Sequence, residues 1–280
     1  MHLKNKKNIF LLLLLFGIAL YGIIYNDNID KKNAANLVQI GKTNPEFLEL
    51  HPEVADENYS IPKTDSINFV FRVIYSDAFV GFPYLIIIII IFFATKDLYK
   101  LRKKDTFKNK MEKDEYKLNK EIYKSYIYSL IPILFMLILL ILSLIYHFDL
   151  NFLKTCNGES LCYIPHLSVS FILTMIFNLT VISLYYINVS IITSKFIKNF
   201  VLNIIISFLL IFTIELFLQY IIGPFLATLT NDVGYGNLFS SPNLWYYDSV
   251  SYLQTICYTS ISFMITFLII KIQFKNKEII

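Results

Sequence analysis

Residues 126–147 decide the fold, and they read YIYSLIPILFMLILLILSLIYH. This stretch of 22 positions contains no Asp, Glu, Lys or Arg. A helix needs about 20 predominantly apolar residues to cross about 30 Å of hydrocarbon, because each residue rises about 1.5 Å. Lipid offers no partner to exposed backbone N–H and C=O groups, so helix is the conformation that such a stretch adopts. Residues 126–147 therefore predict a transmembrane helix.

Five further apolar stretches resemble this one. Hydrophobic residues make up 56% of the chain and charged residues 16%, whereas a soluble domain carries about a quarter charged residues. We therefore predict an all-α polytopic membrane protein that forms a single membrane domain over residues 1–280. Its six predicted spans are approximately 9–25, 80–95, 126–147, 167–193, 199–222 and 251–271.

The first of these stretches also has the form of a signal peptide, since lysines precede a short apolar run. No small-x-small cleavage site separates it from the polar segment that follows. Tyr21 and Tyr25 lie where an interfacial aromatic belt is expected. These features favour a retained membrane anchor.

Basic residues alternate between the segments that connect the spans. Four alternate segments hold 19 of the 25 Lys and Arg residues, and the intervening segments hold 6. Basic flanks stay on the cytoplasmic side, so we predict that both termini are cytoplasmic. Anionic lipid attracts such loops, and a net charge of +4 does not require nucleic acid. The basic segments are 1–8, 96–124, 194–198 and 271–280.

Segment 26–79 is predicted to lie outside the membrane as a small cap, with nine acidic residues against five basic ones. It contains one short helical candidate. Thr43 or Asn44 can cap this helix, and Pro45 suits its first position. The abundance of Ile, Leu and Phe together with Asn, Lys and Tyr is typical of an AT-rich bacterial genome, and therefore indicates a bacterial plasma membrane.

The cytoplasmic loop 96–124 contains a helical pattern without Gly or Pro from Asp105 to Lys124. Four apolar residues fall on one face of this helix, and Glu115 lies within their stripe. Two interpretations remain: a helix that lies on lipid headgroups, or a helix that docks into a groove on a cytoplasmic partner. The stripe consists of Phe107, Met111, Leu118 and Ile122.

The segment between the fifth and sixth spans is interrupted by Gly and Pro. Gly223-Pro224 is predicted to end the fifth helix, and apolar residues continue beyond it. Such a pattern suggests re-entrant or interfacial helices, which are tolerated at membrane depth only where protein or water covers them. An ordinary amphipathic loop with an aromatic belt is the alternative.

No catalytic or metal-binding signature is present in the sequence, so we expect a non-catalytic chain without a cofactor of its own. The clearest intramembrane carboxyl is Glu215, with Gln219 one turn later on the same helix face. Asn203 lies deeper on that helix, and Asn178 is near the middle of the fourth span. Since a charge in lipid is costly, Glu215 should face other helices or a wet cavity, or be protonated. Polar contacts between helices and a substrate path are both open for these four residues.

The three cysteines fall into two groups. Cys156 and Cys162 lie in an external loop whose compartment permits oxidation. A local disulfide and two free thiols are both consistent with their spacing. Cys257 lies in the last span, where it is expected to act as a small packing residue.

The chain resembles the permease subunits of bacterial ATP-binding-cassette (ABC) exporters of the type-2 class. The resemblance rests on six spans with both ends inside, a long external segment after the first span, and a basic region, NKMEKDEYKLNK, at residues 109–120. The broken segment Gly223–Asp248 and the turn Thr193-Ser194-Lys195 also fit. The resemblance implies a second permease chain, the same or similar, and a cytosolic ATPase that binds ATP and Mg²⁺. It implies export of amphipathic peptides, antimicrobials or lipid-like molecules.

Two other classes of function compete with this expectation. One is a stand-alone membrane sensor or bacteriocin-immunity protein that binds a ligand at its external cap. The other is a membrane enzyme, which normally needs several ionisable groups around one cavity. An ATPase gene beside this one would favour the exporter, and an isolated gene beside a bacteriocin would favour immunity.

Overall fold

The computed structural model describes residues 6–60, 70, 73–74, 82–103, 120, 122–147, 169–231 and 252–275. Every regular element within these ranges is helical, which confirms the predicted all-α class. Eight α-helices and one short 3₁₀ turn are labelled here. They are α1 Lys6–Thr43, α2 Pro45–Leu50, the 3₁₀ turn Pro52–Ala55, α3 Phe82–Lys103, α4 Ile131–His147, α5 Val169–Phe196, α6 Phe200–Phe217, α7 Gly223–Thr230 and α8 Tyr252–Lys275.

Five helical stretches of the described chain are long and apolar enough to cross a membrane. A sixth apolar stretch, Tyr84–Lys96, is shorter and lies within the 22-residue helix α3. The chain is therefore a multi-pass helical membrane protein. The five stretches are Ile9–Thr43, Ile122–Tyr146, Leu173–Phe196, Phe200–Leu229 and Ile256–Gln273.

Helix α1 is much longer than the span predicted from the sequence. It runs for 38 residues, about 57 Å at 1.5 Å per residue, and so continues well past the predicted span 9–25 into the segment predicted to form the external cap. Good helix formers such as Ala34, Ala35 and Leu37 continue the helix after the apolar part ends. The hydrocarbon thickness limits the apolar part of a helix but sets no limit on the helix itself.

The predicted short helix after α1 is confirmed as α2. The side chain of Asn44, rather than Thr43, caps it by accepting a hydrogen bond from the Phe47 N–H, and Pro45 is at its start. The chain then returns over α1, where a Cβ on Gly41 would lie 3.3 Å from a methyl group of Val54. Glycine at position 41 therefore permits this close approach.

The predicted break at Gly223-Pro224 is absent, because the chain stays helical from Phe200 to Thr230. A π turn at Leu218–Ile222 precedes Pro224. The wider turn accommodates a residue that has no N–H to donate to the preceding turn. Gly223 adopts helical angles there, since it lacks the Cβ that disfavours this conformation before proline. The helix ends at Asn231, which has a φ of 54°. The remaining part of the predicted re-entrant segment, 232–248, lies outside the described residues.

The chain forms two compact units. The first comprises Met1–Val80 and Phe135–Leu167, and the second comprises Gly81–Leu134 and Ser168–Ile280. In the second unit, α5 packs against α3, α6, α8 and the 3₁₀ segment Tyr126–Leu130. The apolar window of α5 is 67% buried, against 22% for the Phe200–Leu229 stretch and 17% for the α8 stretch. Helix α5 is therefore the central helix of the second unit.

Candidate functional site

Buried polar side chains occur along α5, and three of them, Asn178, Asn188 and Thr193, bond to neighbouring helices of the second unit. Alternating with Ile, Leu and Val, they occur at intervals over the whole length of α5. Each of them is at most 6% exposed. We call this set the α5 polar line. Its members are Asn178, Ser183, Asn188, Ser190, Thr193 and Ser194.

Asn188 bonds to two other helical segments of the second unit. Its Oδ1 accepts a hydrogen bond from the hydroxyl of Tyr126 at 2.9 Å, and its Nδ2 donates to Oγ1 of Thr266 at 3.1 Å. One amide thus joins three helical segments. Asn188 lies near the middle of the apolar stretch of α5, and the sequence analysis missed it, although the rule that singled out Asn178 applies equally to it.

Near the C-terminal end of α5, the hydroxyl of Thr193 lies 2.9 Å from Oδ1 of Asn203 and 2.6 Å from the hydroxyl of Ser207. The Nδ2 of Asn203 donates to the backbone carbonyl of Ser190 at 3.3 Å. These bonds hold α5 and α6 together on either side of the short connection 197–199. Asn203, predicted as a path candidate, therefore makes contacts between helices.

Asn178 occupies the opposite part of α5. Its Oδ1 accepts a hydrogen bond from the hydroxyl of Thr259 on α8 at 3.1 Å, and both residues are fully buried. The three stations at Asn178, Asn188 and Thr193 are separated by 10 and 5 residues, or about 15 and 8 Å along the helix. The structure therefore does not bring Asn178 and Asn203 into one cluster.

Glu215 is 3% exposed and faces α5, as expected for a carboxyl within a span. The hydroxyl of Tyr186 donates to its Oε1 at 3.3 Å. The phenols of three further tyrosines lie close enough to interact electrostatically with its carboxyl: Tyr84 of α3, Tyr185 of α5 and Tyr258 of α8. The carboxyl thus lies among aromatic side chains contributed by three neighbouring helices.

The π turn begins three residues after Glu215 and contains Gln219, which is half-buried. Such turns insert one extra residue into a helical repeat and occur frequently at functional sites. The turn shifts every later side chain around the helix axis relative to an uninterrupted α-helix. The carboxyl, the aromatic side chains and the π turn together define what we call the Glu215 site.

Helix α3 holds the connection between α5 and α6 at the opposite end of the second unit. The hydroxyl of Tyr99 donates to the backbone carbonyl of Ile197 at 2.5 Å. The rings of Tyr99 and Phe200 pack with centroids 5.4 Å apart, and Lys195 donates to the backbone carbonyl of Gln273 on α8 at 3.3 Å. Helix α3, which leads into loop 96–124, thus packs against the connection between α5 and α6.

Of the five residues predicted for ATPase coupling, the structure places one. Ile122 is 4% exposed and lies at the start of the helical stretch that leads into α4, so its side chain is covered by the protein itself. The other four, Phe107, Met111, Glu115 and Leu118, lie outside the described residues, as do Cys156 and Cys162. Cys257 is exposed on α8, and the expectation that it packs inside the protein is wrong.

The first unit has polar contacts of its own, which the sequence analysis did not single out. Asn26 is buried and donates to the backbone carbonyl of Gly22 at 2.9 Å. Asp27 accepts a hydrogen bond from the hydroxyl of Tyr146 on α4 and pairs with Lys31 at 2.7 Å. The bond between Tyr146 and Asp27 joins α4 to α1 where the apolar part of α1 ends.

An exposed ion pair links the C-terminal end of α1 to the segment after the 3₁₀ turn. Nζ of Lys42 donates to Oε1 of Glu57 at 2.6 Å. This hydrogen bond, followed by the positive charge of Lys42, lowers the pKa of Glu57 below its usual value of 4.5. Because the pKa of Glu57 is lower in the folded chain than in the unfolded chain, its ionisation stabilises the fold at pH values above the unfolded pKa. This stabilisation is lost as the pH falls through the folded pKa. Exposed ion pairs such as this one contribute little to the free energy of unfolding.

Within the described ranges, no group of three or more His, Cys, Asp or Glu side chains is arranged to hold a metal ion. Comparisons with protein-family models, with curated proteins and with solved structures find no match to this chain. The fold and its buried polar contacts define the class: a multi-pass, all-helical membrane protein organised around α5.

Proposed function

We propose that this chain is the permease subunit of a bacterial type-2 ABC exporter in the plasma membrane, with both termini in the cytoplasm. A second permease chain, the same or similar, completes the pathway. A separate cytosolic ATPase binds ATP and Mg²⁺ and supplies the energy. The substrates are amphipathic peptides, antimicrobials or lipid-like molecules.

The observation that carries this proposal is the Glu215 site. Ionisable side chains within membrane spans are costly, and they commonly mark the paths of ions and substrates. Asn178 and Asn203 bond to neighbouring helices and fit polar contacts that hold the bundle together. Glu215 differs from them because its carboxyl lies close to several tyrosine phenols and is followed on the same helix by a π turn. We therefore assign Glu215 and Gln219, rather than the two asparagines, to the substrate path.

The position of loop 96–124 supports coupling to an ATPase. The segments at the two ends of this loop contact α5 and the connection that follows it, because Tyr126 bonds to Asn188 and Tyr99 bonds to the backbone carbonyl of Ile197. A force applied to the loop would thus reach the central helix at Asn188 and its connection to α6 at Ile197. A stand-alone sensor or immunity protein would have no need of such a partner.

The experiment uses the tagged full-length chain, purified from native membranes together with the product of its neighbouring ATPase gene. The amount of ATPase that co-purifies with a Met111→Asp plus Leu118→Asp variant should fall by about tenfold or more. The reason is that apolar side chains at a docking surface contribute several kcal/mol to binding when they are buried. The matched control is Ile40→Asp plus Leu50→Asp, which changes two exposed apolar residues of segment 26–79. This control should retain the ATPase.

A second variant separates a path role from a merely structural one. Glu215→Gln keeps an acceptor for the hydroxyl of Tyr186 and removes the carboxyl. The complex should assemble and melt as the parent does, while substrate-stimulated ATP hydrolysis falls several-fold. If the substrate stimulates ATP hydrolysis equally in this variant and in the parent, Glu215 has only a structural role. A chain that is fully active when purified without an ATPase would contradict the exporter assignment altogether.

A further inference from the structure

Aromatic side chains from several helices surround the carboxyl of Glu215. Tyr185 and Tyr186 of α5 are both buried, and their ring centroids lie 5.4 Å apart. The ring of Tyr84 on α3 lies edge-on to that of Phe212, three residues before Glu215 on α6, with centroids 5.7 Å apart. An acidic group thus lies among several π systems in the interior of the second unit.

This combination of groups favours one kind of ligand. An aromatic ring carries negative charge density on its face and therefore attracts cations. A carboxylate attracts the same cations, and its attraction is strong where water is excluded. Anions would meet repulsion from both kinds of group, and a neutral apolar molecule would gain nothing from the carboxyl. The chemistry of the site is therefore complementary to an organic cation with apolar substituents.

The carboxylate can bind such a cation and keep its contact with the protein. Its Oε1 accepts a hydrogen bond from the hydroxyl of Tyr186 at 3.3 Å. An ionised carboxylate offers about four acceptor positions on its two oxygens. The bond from Tyr186 can therefore hold Glu215 in place while a cation lies beside the same carboxylate.

Tyr84 lies between this carboxyl and the surface of the bundle. Its phenol is close enough to interact electrostatically with both Glu215 and Tyr220. Glu215 is 3% exposed, whereas Tyr220 is 70% exposed and Tyr84 is half-buried. A rotation of the Tyr84 ring would therefore open a route to the carboxyl between α3 and α6.

We propose that the Glu215 site binds an organic cation with apolar substituents. The positive charge lies beside the carboxylate of Glu215, the apolar substituents lie among the rings, and Tyr84 moves to admit the ligand. This inference rests on the proposed function, which assigns Glu215 to the substrate path. It narrows the amphipathic substrates of that path to their cationic members.

The experiment measures binding of tetraphenylphosphonium to the full-length chain, purified in detergent without an ATPase, by equilibrium dialysis with protein-free micelles as the blank. Binding to the parent should be saturable, and Glu215→Gln should weaken it by about 30-fold or more, because truncating one partner of a buried charge pair has effects of this size. For tetraphenylborate, an anion of nearly the same shape that is measured separately, the parent and Glu215→Gln should not differ.

The matched control is Asp27→Asn. Asp27 also accepts a hydrogen bond from a tyrosine hydroxyl, but it belongs to the first unit, so this variant should bind tetraphenylphosphonium as the parent does. Tyr84→Leu should weaken binding several-fold because it removes a ring beside the cation. It provides a second test that does not depend on the folding of Glu215→Gln, and thermal unfolding curves like that of the parent show that each variant is folded.

Equal affinities of the parent and Glu215→Gln for tetraphenylphosphonium would overturn the proposal, as would an equal loss of affinity in Asp27→Asn. Unchanged binding by Tyr84→Leu would overturn the role given to Tyr84. A chain that co-purifies with its ATPase but shows no saturable binding of the cation would contradict this inference and leave the proposed function standing. Binding as expected by a chain that has no ATPase partner would support this inference and contradict the exporter.

Discussion

At the residue scale, the second unit is held together by polar side chains that the apolar helices keep away from lipid. Asn188 illustrates the principle, because its amide both donates and accepts across helix boundaries. Hydrogen bonds between membrane helices contribute on average about 0.6 kcal/mol each and at most about 1.7 kcal/mol. A residue with two such bonds is therefore among the more important single positions for stability.

We expect Asn188→Leu to destabilise the protein by about 1 kcal/mol, since it removes both bonds. The greater part of this loss of stability should come from the bond to Tyr126, because the hydroxyl of Thr266 keeps its bonds to carbonyl groups of its own helix. Thermal unfolding in detergent micelles measures the change. The control Thr213→Val alters an exposed position of α6 and should have little effect; an equal effect of the two substitutions would contradict the role given to Asn188.

At the scale of the element, the stretch from Phe200 to Thr230 shows how a helix continues through a proline. The π turn at Leu218–Ile222 accommodates Pro224 without a break in the helix. The helix ends only at Asn231, which adopts a φ of 54°. Asparagine tolerates this left-handed conformation better than most residues, and glycine adopts it without steric cost. The end of α7 thus depends on one backbone conformation.

We expect Asn231→Val to destabilise the end of α7 by about 1–2 kcal/mol, because a β-branched residue is strained at positive φ. Asn231→Gly, the matched control, should leave this helix end as stable as in the parent. Amide hydrogen exchange over residues 223–230 measures the difference, with faster exchange expected only for the valine variant. Equal exchange in both variants would mean that Asn231 does not determine where the helix ends.

At the scale of the whole molecule, the alternation of basic segments predicts which side of the membrane each connection occupies. Two exposed positions test it: Glu53 in the 3₁₀ turn after α2, and Lys198 between α5 and α6. Their positions belong to segments with opposite predicted sides. Both are accessible to a reagent in water, so labelling reports location rather than burial.

We expect a membrane-impermeant maleimide to label Glu53→Cys in intact cells and Lys198→Cys only after permeabilisation. The background carries serine at the three native cysteines, so that only the introduced thiol reacts. The parent without an introduced cysteine is the control and should remain unlabelled. Labelling of both positions from outside would contradict the predicted topology.

The sequence by itself determined which segments are helical and apolar. Residues 126–147 have no charged side chain, and the solvent imposes helix on such a stretch whatever the rest of the chain does. Local chemistry also predicted a short helix capped by Thr43 or Asn44, and α2 begins at the latter. These features depend on neighbouring residues or on the solvent alone, and for that reason they can be read from a sequence.

Only the tertiary structure decided which residues meet. Tyr126 and Asn188 are 62 positions apart, and Asn178 and Thr259 are 81 apart. Their contacts depend on how each helix is rotated and at what height it packs, which hydropathy does not specify. The same cause explains why Ile122 is covered and Cys257 exposed. The apolar groove lined by Ile9, Leu13 and Phe16 of α1 likewise exists only because α4 contributes Ile138 beside them, since a single helix has no second wall.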